Sequence, residues 1–305
     1  MMKTQKIPRR HALAAAGGVS LSVATATTTA TRTRAQAPSF DLSDPATSLD
    51  AYVKLRGSTA DETVYQVYSG NIFQAVPGEV PRPVIGFWGL QKSNWRSDGA
   101  GGYLSTDYDL GLYIDPESRK VLSTWENHLT GKSVDVLHYR SGPSEGTHSL
   151  TAEGESAYGT FTDNWQMSGD QVVHETTTWS DRKNLLQPAD YPLGSTGERF
   201  RTSMSYSLMG RKSELRDPAL RKAPCSYIWS FIAPWPPWME MGQRDDFVVW
   251  RWVGHKLMSR SEIPQDLIDG VEAVWPGYVD DKRPWEEGSS GWHQYKWLKD
   301  GHTPT

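Results

Sequence analysis

The sequence predicts a mainly β protein, a single antiparallel barrel or sandwich of about ten strands with a few short helices. Two observations carry this. From Thr63 to His255 the chain is a succession of short β-favouring runs broken by Gly, Pro, Asn and Asp. Between those runs there is little room for the helices that parallel βαβ units need, so consecutive strands are expected to pair antiparallel. A third observation fixes how such a fold is held together. The 305 residues contain one cysteine, Cys225, so no internal disulfide framework exists and burial and hydrogen bonding must suffice.

Taken in order, the first expected element is a helix near Leu49 to Arg56 with Ser48 as its N-cap. The runs 63–68 and 72–76 flank Ser69-Gly70-Asn71 and read as a hairpin. A strand over 84–90 is entered through Pro81-Arg82-Pro83, and Gly99-Ala100-Gly101-Gly102 reads as a hairpin loop. The runs 108–114 and 120–126 flank Asp115-Pro116-Glu117-Ser118-Arg119, a strong turn signal. Thr130-Gly131 then turns the chain into 134–139. Further strands are expected at 156–161, 171–179, 200–208, 226–231 and 247–253, and a second helix at 263–273, entered at Ser261 or Glu262 with Pro264 in its first turn. The tail after Pro276 is expected to wrap the outside.

The N-terminus has the features of an export signal. Arg9-Arg10 follow Lys3 and Lys6 and precede a weakly apolar stretch over 12–21, and Ala35-Gln36-Ala37 is a small-x-small cleavage site. The paired arginines point to the twin-arginine route, whose export machinery would be a partner, and to a periplasmic or secreted protein. The expected organisation is therefore a signal peptide at 1–37, an N-terminal segment with a short helix at 38–62, a barrel domain at 63–260, and a helix with wrapping tail at 261–305.

Cleavage removes six of the 32 basic residues and leaves 26 against 36 acidic ones. A net charge near −10 speaks against nucleic acid or an anionic membrane surface as partner. No stretch reaches the ~18 consecutive apolar residues of a membrane span, so membrane insertion is not expected. Walker, G-x-S-x-G and dinucleotide-binding motifs are missing, and no His-x-His or His-x-x-x-His spacing occurs in the mature chain. Neither a cofactor nor a metal is expected. Cys225 lies in an apolar run and reads as a packing residue more readily than as a nucleophile.

The most distinctive chemistry is aromatic. All fourteen tryptophans belong to the mature chain, and 233–242 reads Ala-Pro-Trp-Pro-Pro-Trp-Met-Glu-Met-Gly. Its prolines fix the backbone, so its rings are presented with little entropy to lose. Burying one Trp, at ~150–250 Å² and ~25 cal/mol/Å², is worth about 4–6 kcal/mol. Trp88, Trp125, Trp229, Trp235 and Trp238, with Arg251, are the candidate ligand-binding residues. Each tryptophan taken singly fits a packed interior better than a pocket, whereas the Pro/Trp/Met loop as a unit reads equally well as a pocket lid or wall. A two-residue Thr130-Gly131 turn would set Trp125 opposite Val136 and Ser123 opposite His138, with Trp125, His138, Val121, Val134 and Val136 on the inner face. His138 would then be a neutral base near pH 7, unless it is simply bonded to a backbone carbonyl or hydroxyl. Glu126 falls on the opposite face of that hairpin. Of the adjacent pair His174 and Glu175 one must point inward, and either would complete an acid/base pair with His138.

Val76-Pro77-Gly78-Glu79, Pro81-Arg82-Pro83 and Gly86-Phe87-Trp88-Gly89 resemble the start of the domain of unknown function (DUF) 1838 family. Leu112-Tyr113-Ile114-Asp115-Pro116, followed by Trp125-Glu126-Asn127 and Thr130-Gly131, is similar to its central hairpin, and Pro234-Trp235 with Met241-Gly242 to its later aromatic loop. The resemblance covers about residues 50–260. It implies a lipocalin-like barrel and transfers no catalytic residue. The expectation is an exported β-barrel that takes a flat or cyclic apolar small molecule. Its chemistry would be cofactor-independent isomerisation, elimination or hydrolysis, with His138 as general base and Glu175 or Glu126 as its partner. The alternative is a non-catalytic carrier with the same pocket.

Overall fold

The computed structural model describes residues 40–148, 153–156, 159–244, 246–280 and 290–302. The expected export signal, with Arg9, Arg10 and Ala35-Gln36-Ala37, lies outside these residues, as does the stretch 281–289 of the tail. The elements in chain order are α1 (Pro45–Arg56), β1 (Glu62–Ala75), β2 (Arg82–Ser97), β3 (Tyr103–Ile114), β4 (Thr124–Asn127), β5 (Lys132–Asp135), β6 (Tyr139–His148), β7 (Glu153–Ser156), β8 (Gly159–Ser168), β9 (Gln171–Lys183), β10 (Arg199–Arg211), α2 (Lys212–Leu215), β11 (Ser226–Ala233), β12 (Phe247–Leu257), α3 (Gln265–Val274) and α4 (Gly291–Lys299).

Ten strands form one antiparallel sheet in the order β6-β3-β2-β1-β12-β11-β10-β9-β8-β7, and β4-β5 form a separate hairpin. The large sheet curls into a half-barrel, which gives it a concave inner face and a convex outer one. The mainly β, antiparallel reading of the sequence therefore holds.

Both faces are covered. The inner core gathers Tyr68, Ile72, Ile85, Phe87, Tyr113, Trp235, Trp238 and Trp250. On the outer face of β1, β2 and β3, Val67, Leu90, Leu110 and Leu112 are buried beneath Leu267 and Val271 of α3. Helix α1 bridges the two arms of the curl. Its Tyr52 ring lies 5.6 Å from that of His148 in β6 and 5.0 Å from that of His174 in β9. Its Ser48 Oγ accepts a 2.7 Å hydrogen bond from Trp165 Nε1 of β8. The carbonyls of Lys54 and Gly57 at its C-terminal end accept from the buried Lys256 ammonium of β12, which also suits the negative pole of the helix.

Four expectations need correcting. The expected runs 120–126 and 134–139 are broken, with strand only over Thr124–Asn127, Lys132–Asp135 and from Tyr139 onward. Ser69-Gly70-Asn71 is no turn, because β1 runs unbroken through it, paired with β12 on one side and β2 on the other. Gly70 is required for close approach: a Cβ there would stand 1.9 Å from the Arg251 carbonyl oxygen. The first helix starts earlier, with Asp44 rather than Ser48 as N-cap, its side chain accepting from Thr47 N–H. The β4–β5 turn is longer than two residues, since Asn127 Oδ1 accepts from the N–H groups of Leu129 and Thr130. The register consequently slips by two, to Trp125 opposite Val134 and Asn127 opposite Lys132. A slip of two preserves the facing, so Trp125 and Val134 are buried while Glu126 and Asp135 are exposed. Helix α4 was not anticipated.

Candidate functional site

The register sorts the inner face into layers. One row crosses six strands as Tyr206, Trp229, Trp252, Gly70, Phe87 and Tyr113. It forms an aromatic belt: Trp229 and Trp252 stack with ring centroids 3.7 Å apart, and Trp252 continues onto Phe87 at 5.4 Å and Tyr68 at 5.5 Å. Toward α1 the next row carries Tyr227, Gly254, Tyr68, Gly89 and Gly111. Rings here lie flat over glycines, since a Cβ on Gly89 would stand 2.2 Å from the Tyr68 ring. Then the floor turns polar, through Gln66, Gln91, Asp109 and Ser141, and on to Ser93 and Asp107. Tyr206, Trp229, Trp252, Gln91, Asp107 and Asp109 all keep part of their surface accessible, so this inner face, hereafter the groove, is not fully sealed.

Asp109 carries a strongly perturbed carboxyl. Burial raises its pKa to about 6, against the opposing pull of a Tyr68 hydrogen bond and the Arg56 charge. Tyr68 Oη donates to Asp109 Oδ1 at 2.6 Å, and burial together with the neighbouring carboxylate drives the Tyr68 pKa well above its ordinary value. A carboxyl that titrates near neutrality, beside a phenol and a guanidinium, can take up or deliver a proton at physiological pH.

Arg56 enters from the last turn of α1, its guanidinium 5.7 Å from the centre of the Tyr206 ring. Burial opposes its charge, but Tyr206, Asp107, Tyr52 and Tyr227 outweigh that and hold its pKa above the ordinary value. Deeper in, Asp107 accepts from the hydroxyls of Ser93 and Ser105. Ser105 Oγ in turn lies 3.0 Å from His148 Nε2. His148 stacks on Trp95, and burial lowers its pKa to about 4.

The residues singled out from the sequence are distributed differently. Of the pair on β9, His174 points inward, buried between Tyr52 and Trp165 with its pKa lowered to about 4 by burial. Glu175 accepts from Gln166 at 2.8 Å. His138 lies just before β6, beside Trp275, where its Nδ1 accepts from the Tyr113 N–H at 3.0 Å. Burial lowers its pKa to about 4, a bond to the Leu122 backbone working against the shift. It opens on a cleft of about 410 Å³ shared with Arg140, Trp275, Tyr278 and Gln294. His138, in the link between β5 and β6, and His174, on β9, thus have separate surroundings, and Glu126 is exposed on the hairpin.

Among the tryptophans, Trp229 lines the groove. Trp125 and Trp238 meet edge to face at 6.0 Å, and Trp238 meets Tyr113 of the belt edge to face at 4.8 Å. Trp235 is fully buried, its Nε1 donating to Asp246 at 3.1 Å. Trp88 packs on the outer core under Arg119, and Arg251 is exposed on the outer face. The Pro/Trp/Met loop is a packed cap, held to the hairpin by Asn127 Nδ2 donating to the Met239 carbonyl. Burial raises the Cys225 thiol to about 11. Among the described residues no group of three or more His, Cys, Asp or Glu is placed to hold a metal ion, and no helix is long and apolar enough to cross a membrane.

Residues 61–299 match the model of a family described as a protein of unknown function, DUF1838. The chain belongs to this family. No curated protein matches it. The matched span contains Tyr68, Asp107, Asp109, Tyr206, Trp229 and Trp252, whereas Arg56 and the rest of α1 precede it. Of these residues sequence reasoning singled out only Trp229, and it missed Arg56, Tyr68, Asp107, Asp109, Tyr206 and Trp252. The available signal was the alternation Asp107-x-Asp109-x-Gly111-x-Tyr113, which puts two carboxylates and an aromatic on one strand face.

Proposed function

We propose that this DUF1838 member is an exported small-molecule enzyme whose groove takes a flat or cyclic, largely apolar ligand against the Trp229–Trp252 stack. It works by cofactor-independent acid/base chemistry, of isomerase, lyase or hydrolase type. Asp109 is the proton-transfer group, Tyr68 fixes its orientation, and Arg56 supplies positive charge opposite any oxyanion that develops. The observation that carries this reading is the juxtaposition itself: a carboxyl with a pKa of about 6, bonded to a buried phenol, borders a partly open stack of tryptophans. An aromatic wall with few polar groups is how apolar ligands are usually held. In this reading His138, bonded to the backbone on its Nδ1 side, serves the fold, and the proton-transfer role moves from it to Asp109.

Protein isolated from its native host and examined by native mass spectrometry should retain a small molecule. Incubated with that compound, the wild type should yield a rearranged, eliminated or hydrolysed product. Asp109→Asn should cut turnover by about 100-fold or more while binding stays nearly intact. Retention without conversion would make the protein a carrier. If no compound is retained and none quenches its tryptophan fluorescence, the groove reading fails.

A further inference from the structure

A guanidinium is a planar fork of N–H donors, and it matches a carboxylate through two parallel hydrogen bonds. At Arg56 this fork is set but unused. Nη1 is fully buried and has no hydrogen-bond partner, although buried donors are nearly always paired. The two carboxylates of its surroundings are engaged elsewhere, Asp107 by Ser93 and Ser105 and Asp109 by Tyr68. Neither forms an ion pair with Arg56 among the described residues. The fork also stands beside the aromatic belt. Arg56 overlies Tyr206, Tyr206 is the cross-strand neighbour of Trp229, and Trp229 stacks on Trp252.

From this geometry we infer that Arg56 is the anchor for a carboxylate on the ligand, so the groove takes planar aromatic or cyclic monocarboxylic acids, with the ring on Trp229–Trp252 and the acid group on the guanidinium. This rests on the groove reading above and narrows its ligand class. One fork with two aspartates nearby suits a monoanion; a phosphate dianion would bring twice the charge against Asp107 and Asp109. The titratable groups around Arg56 and Asp109 are Tyr52 of α1, Tyr68 of β1, Asp107 and Asp109 themselves on β3, His148 of β6 beside Asp107, Tyr206 of β10, Cys225, Tyr227 of β11 and Lys256 of β12. A bound carboxylate favours the neutral form of Asp109, so binding should take up a proton and strengthen as pH falls through the range where Asp109 titrates.

The test compares 2-naphthoate with its neutral analogue 2-naphthamide on the full-length protein, by tryptophan quenching and calorimetry. The wild type should bind the acid at least ~10-fold more tightly than the amide, and the preference should grow between pH 7.5 and 5.5. Arg56→Gln should erase the preference while leaving amide affinity within about twofold, and Arg56→Lys, which keeps the charge without the fork, should restore only part of it. Trp229→Ala should weaken both compounds alike, and the wild-type comparison of acid with amide decides the anchor even if Arg56→Gln does not fold. Equal wild-type affinities for acid and amide would overturn the carboxylate anchor and leave the groove intact. Failure of both compounds to bind would overturn the groove reading and the anchor with it.

Discussion

Replacing Asp109 by Asn tests the electrostatics of the groove without knowledge of any ligand. In the folded protein the carboxyl titrates at about 6 because burial disfavours its charge, whereas an unfolded aspartate titrates near ~3.9. The folded state therefore holds its proton more tightly than the unfolded one. Its contribution to stability is fully present below about pH 4 and is lost as pH rises through about 6. At ~1.4 kcal/mol per pH unit of that gap, ionising Asp109 costs the native state about 3 kcal/mol at pH 7.5. Asn has nearly the same shape, keeps an oxygen to accept the 2.6 Å bond from Tyr68, and cannot ionise. Urea unfolding of wild type and variant across pH 4.5 to 7.5 is the assay. The variant should gain about 2 kcal/mol relative to wild type as pH rises across that window, the rest of the cost having already set in below pH 4.5. His138, His148 and His174, all held near a pKa of about 4, destabilise the fold as pH falls from ~6.5 toward 4. They do so in both proteins and cancel in the difference. Parallel profiles for the two proteins would show that Asp109 is ordinarily solvated, and the reasoning about the groove floor would be wrong.

Three further predictions follow from the packing and the N-terminus. Gly89→Ala drives a methyl to 2.2 Å from the Tyr68 ring; it should cost about 1–3 kcal/mol, seen as a lower Tm, and flatten the Asp109-dependent slope by displacing Tyr68. An unchanged Tm would mean that the ring has room to yield. Lys256→Met removes the cation, lowered by burial to about 7, that satisfies the carbonyls of Lys54 and Gly57. Stability should fall by about 1–3 kcal/mol in urea unfolding, with amide exchange accelerated in the last turn of α1, and uniform exchange across α1 would contradict it. Arg9→Lys combined with Arg10→Lys should retain the precursor in the cytoplasm in a fractionation experiment, and normal export would rule out the twin-arginine route.

Much of this architecture is legible in the sequence, because strand formation is local. Alternation and turn chemistry placed β2, β3 and β9 to β12, and parity put Trp125 inward and Glu126 outward even with the register two residues off. Gly70 misled for the same reason. A glycine between polar neighbours has the local signature of a turn, and only the strand packed beside it shows that the missing Cβ makes room for the Arg251 carbonyl. The candidate site was hidden by a nonlocal fact. Parity assigns the apolar face of a strand to the core, yet in β3 Leu110 and Leu112 face outward, where α3 buries them, so that Asp107, Asp109 and Tyr113 face the groove. Composition and periodicity thus determined an antiparallel β protein rich in inward aromatics and held without disulfides. Which face became the groove, and that Arg56 of a distant helix comes over Tyr206 with its charge felt by Asp109, was decided by the curl of the sheet and the docking of α1 and α3. Those contacts join residues far apart in the chain, and no local pattern encodes them.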